Sequence, residues 1–179
     1  FGLKAIGKVG QNRDNQGLSE YSIAASATAI YQWDPVEMLA TGTIGVAAAT
    51  DVLIGSLNGV FYTDASTSKP TWANHLEAAN TATDIVGFVS DDPYERFEVQ
   101  SAGTVAAADI GLCADISYAA GSSPDYISKT EISGTMATGT AQLKIIGVSK
   151  DPDNDELGAA NANVVVIINE HFLKQTAGI

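Results

Sequence analysis

The segment Asn163–Asn169 reads Asn-Val-Val-Val-Ile-Ile-Asn, and this run of β-branched residues constrains the fold more than any other part of the chain. Val and Ile have restricted side-chain torsions and fit the pleated surface of a strand. An apolar run without alternation is typical of a strand that is buried on both faces. Because an exposed strand of this composition promotes aggregation, we expect it to lie centrally in its sheet or to be covered.

Two further segments show the period of two that indicates a half-buried strand. In Arg96–Gln100, apolar residues alternate with polar ones such as Glu98, and in Ala141–Val148 the polar positions are Gln142 and Lys144. We therefore expect both strands to bury their apolar side chains and to present the polar ones to solvent.

Turn and helix signals lie between the apolar segments. Asn58-Gly59 stands between two apolar runs and predicts a type I′ hairpin turn, since both residues tolerate positive φ. Thr71–Ala79 predicts one short helix with Thr71 as its N-cap. Further short strands are predicted over Tyr21–Tyr31, Val36–Leu39, Thr43–Ala49, Asp51–Leu57 and Asp84–Ser90.

Together these segments predict an all-β fold with about ten short strands and little helix, arranged as a single β-barrel or β-sandwich domain. We expect residues 21–179 to form this body. Residues 1–20 are polar and interrupted by Gly, and we interpret them as an N-terminal arm. The arm either crosses onto a neighbouring subunit or lies against the body as an edge strand.

Charge excludes two classes of partner. The formal net charge is −12, and the nine Lys and Arg residues are scattered singly. Nucleic-acid binding and attachment to anionic membranes both need clustered basic residues, so we expect neither partner. The longest apolar run, Val164–Ile168, is too short to span a bilayer. The single cysteine, Cys113, can form no internal disulfide and is expected to be a small buried residue.

Motifs that carry known chemistry are missing from the sequence. It contains no Gly-rich phosphate-binding motif, no nucleophile elbow and no zinc-protease motif. The two histidines, His75 and His171, are far apart in sequence, and we expect neither to be a catalytic base or a metal ligand. Four clustered acids, Asp91, Asp92, Glu95 and Glu98, suggest turn-forming and solvated residues more than a glycosidase pair. We predict no enzyme, no catalytic residue and no cofactor.

The one metal motif to consider is Asp151-Pro152-Asp153-Asn154-Asp155. The spacing of Asp151, Asp153 and Asp155 resembles the start of a calcium loop, in which alternate oxygens surround the ion. Glu156 stands where such a loop needs Gly, and Ala162 stands where it needs a bidentate Glu. The three aspartates are therefore weak candidates, and we favour a turn without metal.

A subunit contact is expected at Trp33-Asp34-Pro35, because Trp is enriched at the energetic centres of interfaces. Phe1, Leu3 and Lys4 are also candidate contact residues, since the arm to which they belong can pair with a strand of a partner.

Five groups of motifs occur in a characteristic order. They are Phe1-Gly2-Leu3-Lys4; Tyr21–Val36, which ends in Asp34-Pro35-Val36; Gly59-Val60-Phe61-Tyr62-Thr63-Asp64 with Lys69-Pro70; Val89-Ser90-Asp91-Asp92-Pro93 with Phe97-Glu98-Val99-Gln100; and Ala141–Gly147 with Pro152-Asp153-Asn154 and Val166–His171. In this order they resemble a family of small virion proteins of tailed phages, especially phages of marine bacteria. Gln32-Trp33 departs from the family, which has a small residue such as Gly there, so the local turn is expected to differ.

The resemblance implies a decoration, or cement, protein on the outer surface of a phage capsid, without catalytic residues. It implies a β-barrel or β-sandwich body that binds the major capsid protein and bridges its subunits. It also implies self-association, with a trimer as the first expectation, and synthesis in the cytoplasm of the host bacterium. The alternatives are another virion component of the tail, neck or fibre, or a module that binds surface glycans or calcium.

Overall fold

The computed structural model describes residues 1–10 and 17–174. In this part of the chain there are thirteen strands and two 3₁₀ turns, Ala107–Asp109 and Phe172–Lys174, and no α-helix. The strands are β1 Lys4–Lys8, β2 Ser19–Ser22, β3 Pro35–Met38, β4 Ile44–Val46, β5 Leu53–Thr63, β6 Pro70–Ala73, β7 Val86–Ser90, β8 Glu95–Gln100, β9 Cys113–Ala114, β10 Ile116–Ser117, β11 Glu131–Ile132, β12 Leu143–Val148 and β13 Asn163–Ile168. The predicted all-β class is confirmed.

A five-stranded antiparallel sheet has the order β1-β8-β13-β12-β9. The β-branched strand β13 lies at its centre, as predicted. Its burial is one-sided, however: Val164, Val166 and Ile168 are buried, whereas Val165 and Ile167 on the outer face are only half-buried. The outer face of this sheet therefore carries more exposed apolar surface than the sequence predicted.

A six-stranded sheet has the order β2-β7-β5-β3-β4, and β6 pairs with β5 beside this path. The eleven-residue strand β5 is its longest member. Every residue of β5 from Leu53 to Leu57 is buried, so this segment is the one that is covered on both faces. Gly55 is required in it, because a Cβ there would collide with the backbone carbonyl of Ser90 on β7.

The apolar core consists of two clusters that meet at β5. Leu53 packs in the cluster under the five-stranded sheet, and its neighbour Ile54 packs in the cluster under the six-stranded sheet. The first cluster includes Leu3, Phe97, Val99, Leu143, Ile145, Val164, Val166 and Ile168. The second includes Ile23, Ile30, Val36, Ile44, Leu57, Val60, Leu76, Ile85 and Val89.

The hairpin turn predicted at Asn58-Gly59 is wrong. Both residues lie inside β5, at an irregularity between Leu57 and Gly59 in its pairing with β7. The chain reverses after Thr63 instead, where the Asp64 carboxylate accepts the backbone N–H of Ser66 and Thr67. Hydrogen bonds from these two residues hold the pKa of Asp64 at about 2. Asn and Gly are favoured both in hairpin turns and in strand bulges, so the sequence alone does not distinguish the two. Here the residues pair with β7, and the chain continues as a strand.

The short helix predicted over Thr71–Ala79 is also wrong. Residues Pro70–Ala73 form β6 and pair with β5, with Thr71 opposite Tyr62 and Trp72 opposite Phe61. The chain then turns, and Leu76 exchanges two backbone hydrogen bonds with Ile30. The strand predicted over Tyr21–Tyr31 is shorter than expected, because β2 ends at Ser22.

Two polar residues predicted to face solvent are buried. Gln142 is fully buried, and its amide donates to the carbonyls of Ala48 and Asp51 at 2.8 Å each while it accepts the Ile116 N–H at 2.9 Å. Glu98 is 9% exposed and accepts a hydrogen bond from the Ser149 hydroxyl. Gln142 therefore links the start of β12 to the loop before β5, and so joins the two sheets.

The first residues of the chain pack against the body. Strand β1 is the edge of the five-stranded sheet and pairs antiparallel with β8. Of the two alternatives for this segment, the structure contains the edge strand over Lys4–Lys8. Strand β2 runs across the expected boundary at residue 20, and the rest of the expected arm, residues 11–16, lies outside the described residues.

Candidate interaction surfaces

The structure brings the predicted contact residues together at one place, which we call the N-terminal corner: Phe1, Leu3, Lys4, Trp33, Asp34 and Pro35. The Phe1 ring lies edge-on to Trp33 at 6.5 Å between centroids, and the Lys4 ammonium stands 5.8 Å from the Trp33 ring. The Leu3 N–H donates to the Trp33 carbonyl at 2.8 Å. The two sequence segments are therefore parts of one local structure.

Half of this corner is interior. Leu3 and Asp34 have no exposed surface and Pro35 is buried, so the solvent-facing side chains are Phe1, Lys4 and Trp33. Trp33 has φ of +66°, a left-handed conformation that strains a bulky residue.

Asp34 is a buried carboxyl group at this corner. Its Oδ2 accepts the Tyr31 N–H at 2.8 Å, and its Oδ1 is buried without a hydrogen-bond partner among the described residues. Burial raises the pKa of Asp34 to about 6, although hydrogen bonds from Ser128 and Tyr31 oppose the shift. Its position under Trp33 indicates a structural role for the carboxyl group.

The outer face of the six-stranded sheet carries a cluster of three aromatic side chains that we call the aromatic patch: Phe61 on β5, Trp72 on β6 and Phe88 on β7. The Trp72 ring lies 4.8 Å from Phe61 and 5.2 Å from Phe88 between centroids. Trp72 is 68% exposed, the largest value among the exposed large apolar residues of the described chain. Sequence reasoning missed this patch, because only the pairing of Phe61 with Trp72 reveals it.

The outer face of the five-stranded sheet contains a groove of about 650 Å³, which we call the Arg96 groove. Its apolar lining residues are Ile6, Val9, Ile146, Val148, Val165 and Ile167, and its basic ones are Arg96 and Lys150. The Nε of Arg96 is buried without an acceptor in the described residues. Arg96 also forms no ion pair with any carboxylate in that part of the chain.

The aspartates considered for calcium lie on an exposed turn. The Asp151 carboxylate accepts the Asp153 N–H, and the Asn154 N–H donates to the Asp151 carbonyl. Asp151, Asp153 and Asp155 are all exposed. Among the described residues, no group of three or more His, Cys, Asp and Glu side chains is placed to hold a metal ion.

The clustered acids near β8 contact other residues of the fold or are buried in it. The Tyr21 hydroxyl donates to Asp91 at 2.7 Å, and Lys8 pairs with Asp92 at 2.6 Å. That contact with Lys8 is the main cause of the lowered pKa of Asp92. Glu95 and Glu98 are buried, contrary to the prediction of solvated acids. The contacts of Tyr21 with Asp91 and of Lys8 with Asp92 hold the turn between β7 and β8 in place.

The two histidines occupy different surroundings. The His75 ring stacks on Tyr126 at 3.8 Å between centroids, and the Tyr31 ring lies 6.3 Å from His75. The Nδ1 of His75 lies 2.9 Å from the Asn74 amide oxygen. His171 has no exposed surface, and its Nδ1 accepts the Leu173 N–H at 3.1 Å. Burial lowers the pKa of His171 to about 4, the charge of Lys174 adds to this, and nearby Asp91 and Asp92 oppose it.

A second groove of about 580 Å³ lies beside β4, and its lining includes the small residues of 24–28 and Ala47. Tyr118 is the only ionisable residue among its lining side chains, and burial raises the pKa of Tyr118 to about 12. The described residues also contain no helix that is long and apolar enough to cross a membrane.

Comparison of the chain with family models, with curated proteins and with solved structures found no match.

Proposed function

We propose that this chain is a structural virion protein, a decoration protein on the outer surface of a tailed-phage capsid that stabilises the shell by bridging major capsid protein subunits. The proposal starts from the family resemblance of the ordered sequence motifs. It treats the chain as a non-enzyme that acts as a homo-oligomer, with a trimer as the expected assembly.

The observation that carries the proposal is the aromatic patch. A Trp side chain that is 68% exposed and in contact with two Phe rings is a preformed apolar surface on a rigid sheet. Exposed apolar clusters of this kind mark contacts with other macromolecules, and Trp contributes more than most residues to such contacts. We assign this patch to the capsid contact.

Charge supports a location outside the shell. A chain with net charge −12 is repelled by packaged DNA and is suited to a surface far from it. Binding through many copies gives a strong total effect, because each bridging copy adds its own contact to the same shell. No cofactor is needed for this role.

The copy number in purified virions tests the proposal. A decoration protein occurs in fixed proportion to the major capsid protein, and quantitative mass spectrometry of virions measures that ratio directly. A ratio that matches a tail, neck or fibre component would replace the capsid assignment with that alternative. Absence of the chain from virions would refute both.

A glycan-binding module is the second candidate, and the exposed Trp72 ring is the observation that favours it. Sugar rings stack on exposed aromatic faces through their C–H groups, and the Trp72 ring on the outer face of β5, β6 and β7 is such a face. A glycan array with the purified chain tests this candidate. Binding that disappears in Trp72→Ala would support it, and an array without hits would remove it.

A further inference from the structure

We infer that the Arg96 groove binds a second copy of this chain through the acidic turn Asp151–Leu157 of that copy. The inference rests on the proposed function only for the self-association that a symmetric assembly needs, and its test uses purified protein without capsids.

The first observation is the state of Arg96 itself. Its Nε is buried and has no acceptor in the described residues, and its guanidinium pairs with none of their carboxylates. A buried donor without an acceptor costs free energy that a partner can restore. Arg also favours carboxylate partners, because its planar fork matches the two carboxylate oxygens. A carboxylate on an occupant of the groove would supply the acceptor that Arg96 lacks among the described residues.

The second observation is the aliphatic lining around Arg96. Ile6 and Val9 are 43% and 44% exposed, and Val165 and Ile167 contribute half-buried surface from the central strand. An occupant must therefore also carry an apolar side chain close to its carboxylate.

The chain's own acidic turn has both features. Asp155, Glu156 and Leu157 are consecutive and exposed, and Leu157 is one of the exposed large apolar residues at 39%. Most of the surface of this acidic chain repels a second copy, whereas the groove presents Arg96 and Lys150. The turn therefore complements the groove both in charge and in apolar character.

A contact between a groove and a different surface of the next copy is heterologous, and such contacts close into rings when the rotation permits. The expected closed assembly is a trimer, with a mass of three times 18.5 kDa. Each copy then supplies one groove and one turn, so no groove is left empty.

Light scattering with multi-angle detection tests the inference on the purified full chain. We expect the wild type to show the trimer mass, and Arg96→Glu to weaken assembly on the order of 10²-fold. Arg96→Leu is the second variant: it removes the unpaired charge without placing an acid in the groove, and we expect it to fold and still to dissociate. Lys69→Glu makes the same charge change at an exposed site outside the groove and should keep the trimer.

Charge reversal identifies the partner. The variant Asp155→Lys with Glu156→Lys should dissociate like Arg96→Glu, and combining the two should restore the assembly. A monomeric wild type, or an Arg96→Glu protein with the wild-type mass, would overturn the inference. So would a failure of the combined variant to reassemble. If Arg96→Glu kept its mass but lost capsid binding, the groove would belong to the capsid protein instead.

Discussion

Three aromatic rings stand in contact across β5, β6 and β7 on the outer face of the six-stranded sheet, whereas the outer face of the five-stranded sheet is an aliphatic groove around Arg96. The inner faces of the two sheets are alike, since both bury branched aliphatic residues. The outer faces differ in shape, because Trp72 protrudes and the groove is concave.

Because the outer faces differ in shape, we propose a different partner for each. A protruding ring fits a pocket on a partner, and a concave groove whose cation has no partner among the described residues fits a protruding acidic segment. In our account the aromatic patch contacts the capsid and the Arg96 groove contacts the next copy. Variants that affect one face and leave the other intact test this division.

The largest effect on capsid binding is expected from Trp72→Ala. Removal of the most exposed ring of the aromatic patch should weaken capsid binding by about 30-fold or more and leave the oligomer mass unchanged. Titration of the chain against capsids, followed by pelleting, measures the first quantity, and light scattering measures the second.

Tyr94→Ala is the matched control, because Tyr94 is 61% exposed but lies outside the aromatic patch. It should retain capsid binding. Equal losses of capsid binding in the two variants would show that the loss does not depend on the aromatic patch, and would contradict its assignment to the capsid contact.

The next effect concerns the link between the two sheets. Gln142→Leu removes an amide that satisfies Ile116 N–H and the carbonyls of Ala48 and Asp51. Unsatisfied buried polar groups are costly, so we expect a loss of about 2–4 kcal/mol in the free energy of unfolding. Urea denaturation measures it.

Gln100→Leu is the control for this substitution, since the Gln100 amide makes a single hydrogen bond, to the Asn161 carbonyl, at an exposed site. Its cost should stay below about 1 kcal/mol. A cost for Gln142→Leu no larger than this would mean that the amide does not hold the sheets together.

A smaller effect is expected at the N-terminal corner. Unlike the two outer faces, this corner contains a buried acid, Asp34, which makes the free energy of unfolding depend on pH. The raised pKa of Asp34, about 6, means that the folded state holds its proton more tightly than the unfolded chain does. Asp34 therefore favours folding below pH 4, and this contribution is lost as the pH rises to about 6. Relative to wild type, Asp34→Asn should gain about 2 kcal/mol between pH 4 and pH 7.

His171→Asn provides a comparison of opposite sign. The neutral form of His171 is favoured in the folded state, so its contribution is full above pH 6.5 and is lost as the pH falls to about 4. Relative to wild type, His171→Asn should therefore gain stability toward low pH. Urea unfolding at several pH values measures both variants, and equal slopes for wild type and Asp34→Asn would contradict the burial of Asp34.

The smallest effect is expected at Lys4, whose ion pair with Glu98 spans 3.8 Å and whose side chain is 46% exposed. Exposed pairs contribute little, so Lys4→Ala should change the free energy of unfolding by less than about 0.5 kcal/mol. Light scattering should also find its mass unchanged. A change above about 1 kcal/mol would indicate that Lys4 anchors β1.

Composition alone was sufficient to place β13 at the centre of a sheet, because a β-branched run has few other stable locations. Alternation likewise located β8 and β12, since apolar side chains must reach the core. Sequence could not show that Gln142 is buried: a polar face meets water or another part of the chain depending on tertiary contacts. The hairpin turn predicted at Asn58-Gly59 was wrong for the same reason, since pairing with neighbouring strands outweighs a local turn preference.

The candidate surfaces divide in the same way. Sequence named Trp33 and the first residues as separate candidates, but their meeting at the N-terminal corner and the burial of Leu3 and Asp34 depend on how the two segments pack. Phe61 and Phe88 are far apart in sequence, and only strand register brings both rings to Trp72. Sequence also could not show that Arg96 has no acceptor among the described residues, because this depends on which acids lie within reach.

Reconstitution of capsids tests the central claim most directly. Purified chain is added to expanded shells that lack it, bound chain is counted per major capsid protein, and the temperature of shell rupture is measured. Our account predicts saturable binding at a fixed ratio and a higher rupture temperature, both reduced in Trp72→Ala. Binding without saturation, or an unchanged rupture temperature at full occupancy, would contradict it.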